Sequence, residues 1–335
     1  MIHQTAYVES SSFDPYGNLA LEECLLRLCE KGQCILYLWQ NQKTVVIGKN
    51  QNAWAECKTD KLAEAGGHLA RRLSGGGAVF HDLGNLNFTF LVCREDYSIE
   101  RQMEVILRAV RQLGARAEKS GRNDILVDGR KFSGNAFYEQ GEQWYHHGTL
   151  MVDVDLANLT EYLTVSKDKL QSKGVASVKS RVANLKDFLP DLTIQELKKA
   201  LRAAFEEVYG CPSRELRRED FDQEEIERAR EKYASWEWLY GKRLQFQYEL
   251  SHRFSWGGLQ FQFQIQGGRI QDLRVYSDSL KPELVEEIGR RLPGLRYDRE
   301  EICRKLEEFR GSLEDHPQEQ EMLQEILAWF RTIEL

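Results

Sequence analysis

The segment from Arg71 to Asp82 holds the densest set of residues in this chain that can do chemistry. It reads RRLSGGGAVFHD, with two arginines, a serine and three consecutive glycines. Because glycine has no Cβ, the backbone N–H groups of such a turn can approach a ligand closely and form an anion-binding nest. Arginine supplies planar donors that suit carboxylate and phosphate. A glycine-rich hairpin with surface arginines is the plain alternative, since glycines also occur in ordinary turns.

Two common phosphate-binding motifs do not fit this segment. A P-loop places Lys and Ser or Thr after its last glycine and then continues as a helix, whereas Gly77 is followed by Ala78 and Val79. A dinucleotide fingerprint also opens a helix, and the pattern after Gly77 is not helical. An anion bound here would therefore be held by loop amides and arginines between strands.

A lysine and an acid lie on two neighbouring predicted strands. Asp124 comes directly before ILV, and Lys131 opens the run KFSGNA. Strand alternation predicts that Lys131 and Ser133 share a face. A lysine beside an anion nest can stabilise negative charge as it develops, and the effect grows where water is excluded. A solvated strand lysine is the alternative.

His146 and His147 are adjacent in a third predicted strand. Successive side chains of a strand point to opposite faces, so the two rings cannot easily bind one metal ion. We expect at most one of them to face the site and the other to be packed or hydrogen-bonded elsewhere.

The elements that position these residues form an α+β pattern. Asp14 and Pro15 begin a helix as N-cap and first helical residue, and strands are predicted at 34–39, 44–47 and 87–92 without regular βαβ alternation. The region 164–186 is basic and weakly periodic, which indicates a mobile loop. Three alternating strands and then three helices follow residue 244. We therefore predict a large domain over residues 1–244 and a small α+β domain over 245–335.

Composition excludes several classes of protein. The 335 residues include 46 Lys and Arg against 53 Asp and Glu, a formal charge of −7, so a general nucleic-acid binder is not indicated. No apolar run approaches the ~20 residues that span a bilayer, and no signal peptide is visible. The seven cysteines contain no Cys-x-x-Cys pair, which disfavours zinc and disulfide frameworks. We expect a cytoplasmic protein.

Taken in order, these segments resemble those of the lipoate–protein ligase family. The similar runs are DPYGNLALEE, LWQNQKTVVIGKNQN, RRLSGGGAVFHDLGN, SGRNDILVDGRKFSGNAFY, HHGTL and SKGVASVKSRVANL. The region from WEWLYG through FSWGG to Asp278 resembles the accessory domain of the long, two-domain ligases. The resemblance covers essentially the whole chain, and position 73 departs from it, with Leu where many relatives carry Ser.

The resemblance implies an enzyme that activates an acid. It would join lipoate to ATP, release pyrophosphate and form lipoyl-AMP, and then pass the lipoyl group to a lysine of an acceptor protein. The catalytic domain would have the fold shared with biotin–protein ligases. The acceptors would be lipoyl domains of 2-oxoacid dehydrogenase complexes and the glycine-cleavage H protein. We further expect a monomer that binds neither nucleic acid nor membranes.

Family motifs also imply roles for individual residues. Lys131 would be the catalytic residue, bridging the acyl carbonyl oxygen and the phosphate, and Asp124 would orient it or hold Mg²⁺, which enters with the nucleotide phosphates. The nucleotide would contact Arg72, Gly77, Ala78, Val79, Phe80, Asn85, Asp124 and Lys131. Lipoate would contact Leu19, Val46, Ser74, Gly76, Lys131 and His147. A lid over the adenylate would include Lys173, Gly174, Val175, Ser180, Arg181, Val182 and Asn184.

Two alternatives stay open. Octanoyl- and lipoyl-transferring relatives use a cysteine in place of ATP, and Cys93, at the far end of a strand, is the cysteine nearest in sequence to the proposed site. A non-catalytic lipoyl-AMP-binding protein is the second alternative, although it would be expected to lack Lys131. A biotin ligase would carry a GRGRxGR-like segment, which is absent from the sequence.

Overall fold

The chain folds into two compact units. Its structure is a computed structural model that describes residues 2–121, 124–164, 182–241 and 245–333. The first unit contains Met1–Ile47, Ala53–Arg72 and Ala78–Leu239, and the second contains Gly48–Asn52, Leu73–Gly77 and Tyr240–Leu335. No helix within the described ranges is long and apolar enough to cross a membrane.

A mixed eight-stranded sheet organises the first unit. Its order is β11-β1-β2-β6-β10-β9-β8-β7. β1 pairs in parallel with β11 and β2, and the remaining neighbours are antiparallel. The strands are β1 (Gln4–Glu9), β2 (Gln33–Trp39), β6 (Asn85–Cys93), β7 (Ala117–Ser120), β8 (Asp124–Val127), β9 (Arg130–Gln140), β10 (Gln143–Met151) and β11 (Ser213–Leu216).

The central strand β6 is buried on both faces, with different chemistry on each. Phe88 and Phe90 belong to the apolar core that packs under α4 (Ile99–Gln112) and α6 (Ile194–Tyr209). Strand alternation turns Asn87 and Thr89 to the opposite face, where α1 (Pro15–Leu28) lies and Thr89 contacts a helix glutamate. One side of the sheet is therefore an ordinary core, and the other carries buried polar groups.

A second, small sheet in the first unit has the order β4-β3-β5. It is formed by β3 (Thr44–Ile47), β4 (His68–Arg71) and β5 (Val79–His81). β3 lies in the middle, pairs in parallel with β4 and pairs antiparallel with β5. The short helices α2 (Ala53–Glu56), α3 (Thr59–Glu64), α5 (Leu156–Tyr162), α7 (Gln223–Ala234) and α8 (Trp236–Tyr240) complete the described helices up to this point of the chain.

The second unit contains the three strands and three helices that the sequence predicts. β13 (Gly257–Gln266) lies between β12 (Tyr248–Phe254) and β14 (Arg269–Ser277) in an antiparallel sheet. The helices are α9 (Pro282–Arg291), α10 (Arg299–Gly311) and α11 (Pro317–Phe330). Phe261, Phe263 and Phe330 are fully buried in the core between them.

Some predicted elements differ from the structure. The sequence pattern over residues 54–64 predicts a single helix. The structure has two helices there, because Cys57 pairs with Leu163 in an isolated bridge and the Lys58 amide donates to the Tyr162 carbonyl. The pattern over residues 222–238 also predicts one helix, which in the structure ends at Ala234 and restarts at Trp236. The sequence does not predict the short strands β1, β7 and β11, because their alternation of apolar and polar residues is weak and they depend on pairing within the sheet.

The triple-glycine segment is packed tightly within the second unit. The Gly76 amide donates to the Ser279 carbonyl at 2.9 Å, so this N–H group is already occupied. A Cβ at Gly75 would lie 2.2 Å from the same carbonyl oxygen, and a Cβ at Gly48 would lie 2.2 Å from the Gly76 carbonyl. Close backbone packing therefore explains the glycines at positions 48 and 75, separately from any ligand.

Gly75→Ala is expected to destabilise the second unit by about 1–3 kcal/mol, because the added methyl group must displace the Ser279 backbone. Urea unfolding followed by fluorescence measures the change. Gly77→Ala is the matched control, since a Cβ at that position has no atom of the described residues within 4 Å. Equal stability of the two variants would contradict the packing explanation.

Candidate active site

Lys131 is paired with Asp124 on adjacent strands, with its Nζ 2.6 Å from the aspartate Oδ1. Both side chains are about one-third exposed, at 35% and 37%. The ammonium group lies over Gly134, 3.1 Å from where a Cβ would be, so the absence of a side chain makes room for it. Lys131 and Asp124, which the resemblance links, thus form an ion pair, and the roles of both residues stay predictions.

The prediction that Lys131 and Ser133 share a face is wrong. The pairing of β8 with β9 shifts register between Ile125 and Leu126, which marks a bulge. Ser133 is within 3.4 Å of the Asn135 amide on the core side, whereas the Lys131 ammonium lies on the Gly134 side. A bulge inserts one residue into a strand and breaks the strict alternation of its side chains between the two faces. The local sequence pattern does not predict this bulge.

A buried polar cluster lies on the same face of the sheet, under α1. The Glu22 carboxylate accepts a hydrogen bond from Thr89 at 2.6 Å and lies 2.8 Å from His147 Nδ1. Thr89 in turn accepts from the Trp39 indole at 3.1 Å. The Glu22 and His147 side chains are only 1% and 8% exposed. This cluster fixes the orientation of the His147 ring.

His146 faces the other side, as its place next to His147 predicts. Its Nε2 lies 2.8 Å from Asn135 and its Nδ1 lies 3.2 Å from Gln102. Its ring packs against Phe88, Phe90 and Phe137. His146 is therefore a core residue.

Arg72 is buried and contacts the backbone of Val46. It is 7% exposed, and its Nη1 donates to the Val46 carbonyl at 3.3 Å. Burial lowers the pKa of Arg72 to about 10, whereas the charges of Tyr145 and Glu22 act to raise it. The negative charge of Glu22 thus favours the charged form of this buried arginine.

His81, at the end of β5, belongs to the same neighbourhood. Burial lowers its pKa to about 3, and the positive charge of Arg72 and the neighbouring His147 contribute. The ring is thus neutral at physiological pH. Its Nδ1 lies 3.3 Å from the Asn41 amide, and its Nε2 has no hydrogen-bond partner among the residues that the structure describes.

The stability of the first unit is expected to fall as pH drops from 6.5 to 5, because His81 and the buried His146 both have pKa values of about 3. Each histidine has a pKa near 6.5 in the unfolded chain, so the unfolded chain binds more protons than the folded protein in this window. The stability of the folded protein therefore rises with pH. Together the two histidines lower the free energy of unfolding by about 3 kcal/mol between pH 6.5 and pH 5. Carboxylates whose pKa is lowered change the stability only at lower pH than this window.

Urea unfolding at pH 6.5 and at pH 5 measures this loss. The His146→Gln variant should show about half of the wild-type pH dependence, because one of the two histidines is gone. An unchanged dependence in that variant would contradict the assignment.

The other residues predicted for the nucleotide lie at the start of β5 and β6. Ala78 precedes Val79 and Phe80 of β5, and Phe80 stacks on Tyr162 with ring centroids 5.6 Å apart. Asn85 is 1% exposed, and its amide donates to Asn87 Oδ1 at 2.9 Å. Asn85 is therefore already linked to a second buried asparagine.

Ser74, Gly76 and Gly77 belong to the second unit, where Ser74 is fully buried and its carbonyl accepts from the Lys49 amide at 3.0 Å. Leu19 lies on α1 of the first unit and is 1% exposed. The structure thus brings Arg72 and Val46 into contact and pairs Lys131 with Asp124.

Part of the predicted lid lies outside the described residues, namely Lys173, Gly174, Val175, Ser180 and Arg181. Val182 and Asn184 are the two predicted lid residues that the structure describes. Val182 bridges to Lys131, and the next residue's amide donates to the Lys131 carbonyl at 2.9 Å. The Asn184 side chain both donates to and accepts from the Val154 backbone at 2.9 Å.

Sequence reasoning missed Glu22, Thr89, His81 and Asn87 as members of this face. Glu22 gave one signal, an acid within the apolar stripe of a helix. For the others, local alternation does not tell which face of a doubly buried strand meets the site. Among the described residues, no group of three or more His, Cys, Asp or Glu is arranged to hold a metal ion.

The described residues supply a buried polar cluster and two cations, a buried arginine and a lysine paired with an aspartate on the large sheet. Groups of these kinds suit a class of protein that binds a small anionic molecule. Such cations can stabilise charge that develops in a reaction.

Comparison with known proteins identifies the family. Residues 14–206 match the lipoyl protein ligase A/B catalytic domain, and residues 243–330 match the bacterial lipoate protein ligase C-terminus. The chain belongs to the lipoate–protein ligase family, in the long two-domain form. It is an AMP-forming ligase that uses ATP and lipoate in protein lipoylation.

Solved relatives agree over most of the chain. LipL1 of Plasmodium falciparum, solved in complex with lipoate, is 28% identical, with a TM-score of 0.84 over 97% of this chain and 98% of that one. A bipartite lipoate protein ligase of Thermoplasma acidophilum, studied with its E2 lipoyl domain, is 31% identical over 73% and 99%, with a TM-score of 0.63. Lipoate-protein ligase A bound with ATP is 30% identical over 72% and 99%, with a TM-score of 0.61.

Proposed function

We propose that the ligase carries out both half-reactions on the face of the sheet that holds Lys131. In the first, a lipoate carboxylate oxygen attacks the α-phosphorus of ATP, the bond to the β-phosphate oxygen breaks and pyrophosphate leaves. In the second, the ε-amine of an acceptor lysine attacks the acyl carbonyl carbon, AMP leaves and the amine loses a proton. The observation that carries this proposal is the Lys131 ammonium held over bare Gly134 by Asp124.

Lys131 would act in both steps because negative charge collects on the same oxygens in each. The first step brings two anions together, and a fixed ammonium reduces their repulsion. Asp124 would orient the ammonium, since it lies 2.6 Å away. Mg²⁺ would enter with the ATP phosphates, where Asp124 is the described carboxylate nearest to Lys131.

The nucleotide would lie along Arg72, Ala78 to Phe80 and Asn85, with Gly77 contributing as the resemblance implies. The buried charge of Arg72 supports this role, because an anionic ligand would offset its cost of burial. The acyl chain would contact Leu19, Val46 and His147, with Ser74 and Gly76 contributing as the resemblance implies. Glu22 would hold the His147 ring in place.

The acceptors would be lipoyl domains of 2-oxoacid dehydrogenase complexes and the glycine-cleavage H protein. The study of the Thermoplasma acidophilum ligase with its E2 lipoyl domain supports this class. Residues from Lys173 to Asn184 would close over the adenylate and shield it from water. We also propose a cytoplasmic monomer, with a domain boundary at 244 and 245.

The acyltransferase alternative is disfavoured by the state of the thiols. Cys93 is 4% exposed, its Sγ donates to the Cys29 carbonyl, and burial raises its pKa. A nucleophilic cysteine needs a lowered pKa instead. Burial also raises the pKa of Cys57, to about 11.

One assay tests the proposed function. Protein, lipoate, MgATP and an apo lipoyl domain are mixed, and pyrophosphate release and the mass of the acceptor are followed. We expect both signals, and neither without ATP. A mass gain without ATP from an acylated carrier protein would support the acyltransferase. Adenylate formation without transfer to either acceptor class would exclude the proposed acceptors.

A further inference from the structure

A second buried carboxamide lies on the Lys131 face with half of its hydrogen-bonding capacity unused. Asn87 is 2% exposed, and its Oδ1 accepts the Asn85 amide at 2.9 Å. Its Nδ2 has no hydrogen-bond partner within the described ranges of the chain. An unsatisfied buried donor costs about 1–3 kcal/mol, so such a group calls for a functional explanation.

The register of the sheet places Asn87 in one row with the lysine. Asn87 on β6 is directly opposite Thr149 on β10. Thr149 Oγ1 accepts the Gly134 amide of β9 at 3.3 Å, and it lies 3.9 Å from where a Gly134 Cβ would be. The Lys131 ammonium lies over that same position. Asn87 and Gly134, over which the Lys131 ammonium lies, therefore flank Thr149 from the two sides, with their backbones two strand spacings or about 10 Å apart.

We propose that the Asn87 carboxamide is a second donor to the acyl carbonyl oxygen, opposite Lys131. This inference rests on the proposed role of Lys131 and adds a contact that the family resemblance does not assign. The small side chain of Thr149 and the bare Gly134 leave space between the two donors. Asn85, the proposed nucleotide contact, fixes the amide so that its N–H groups point away from Asn85.

The chemistry explains why a neutral donor would be useful at this position. When the acceptor amine attacks, the carbonyl π electrons move onto oxygen, and this oxygen becomes negative until AMP leaves. A positioned N–H donor stabilises that charge more than it stabilises the neutral carbonyl. The same N–H group has no partner among the residues that the structure describes, and the acyl oxygen would supply one.

The experiment uses Asn87→Leu, a change of similar size that removes the carboxamide. Single-turnover transfer from preformed lipoyl-AMP to an apo lipoyl domain is measured, together with the dissociation constant of a non-hydrolysable lipoyl adenylate. We expect transfer to slow by 10²- to 10³-fold, as for the loss of one oxyanion donor, with a smaller change in adenylate affinity. Asn87→Asp should be slower still, since it places a negative acceptor against the oxygen.

Gln102→Met is the matched control. Gln102 is also a fully buried carboxamide whose Nε2 has no partner among the described residues, but it contacts His146 on the other face of the sheet. We expect its transfer rate to stay within about twofold of the wild type.

Three outcomes would overturn the proposal: an Asn87→Leu rate within threefold of the wild type, equal slowing in Gln102→Met, or an Asn87→Asp variant as fast as the wild type. Loss of activity in Lys131→Ala with an unaffected Asn87→Leu would reject the second donor alone. Full activity in Lys131→Ala would reject the proposed role of Lys131 instead.

Discussion

Replacing Lys131 with alanine is expected to lower the rate of lipoate-dependent pyrophosphate release by 10²- to 10³-fold. One positioned donor to a developing charge is worth about 3 kcal/mol in a site that excludes water. The fold should be retained, because the Lys131–Asp124 pair is one-third exposed and such pairs contribute little to stability. Pyrophosphate release at saturating lipoate and ATP measures the effect, and thermal unfolding checks the fold.

Lys186→Ala is the matched control for this prediction. Lys186 also pairs with an aspartate, with its Nζ 2.8 Å from Asp153 Oδ2 and its side chain 37% exposed. Its removal deletes a similar ion pair away from the Gly134 surface, so we expect activity within about twofold of the wild type. Equal activity of the Lys131 and Lys186 variants would contradict the assigned role.

Arg72→Met should abolish ATP-dependent activity while leaving the protein as stable as the wild type or more stable. Arg72 is 7% exposed and its pKa is lowered to about 10 by burial, so its charge is held at a cost to the free energy of folding. Methionine is of similar length and carries no charge, so the variant avoids the cost of burying a cation. We expect at least a 10²-fold rise in the ratio KM/kcat for ATP.

Arg72→Lys tests the geometry of this contact. A lysine keeps the charge but loses the planar fork of donors, so it should recover only a small part of the activity. Kinetics at several ATP concentrations and a thermal melt of each variant supply the measurements. A destabilised Arg72→Met protein with normal kinetics would show that the residue serves the fold alone.

Much of the fold was predictable from the sequence because local signals agree with tertiary packing. Asp14 caps α1 through the amides of Tyr16 and Gly17, and Thr193 begins α6 with a capping box to Glu196. The three strands and three helices of the second unit follow from alternation and turn glycines. These features depend on neighbours in the chain, which a sequence displays directly.

The site was predictable only in part. Lys131, Asp124, Arg72 and His147 stand in motifs, and the structure pairs the first two, buries Arg72 against the Val46 carbonyl and holds His147 at Glu22. Whether their roles follow the family stays a prediction. The bulge that turns Ser133 away from Lys131 depends on pairing between strands, and a local pattern does not contain it.

The triple-glycine segment illustrates the same limit. Its glycines suggested a nest of free amides, yet the Gly76 amide donates to Ser279, and Gly75 packs against the same carbonyl oxygen. These partners are about two hundred residues away in the chain, so spacing within the motif does not reveal them. Gly77 differs from them, because a Cβ at that position would meet no atom of the described residues within 4 Å.

The central claim is that one face of the large sheet holds the acyl adenylate against Lys131. A crystal structure with a non-hydrolysable lipoyl adenylate tests this most directly. The account predicts the acyl carbonyl and phosphate oxygens within hydrogen-bond distance of the Lys131 ammonium, over Gly134 and Thr149. An adenylate bound elsewhere, or a Lys131 ammonium turned to solvent in the complex, would contradict it.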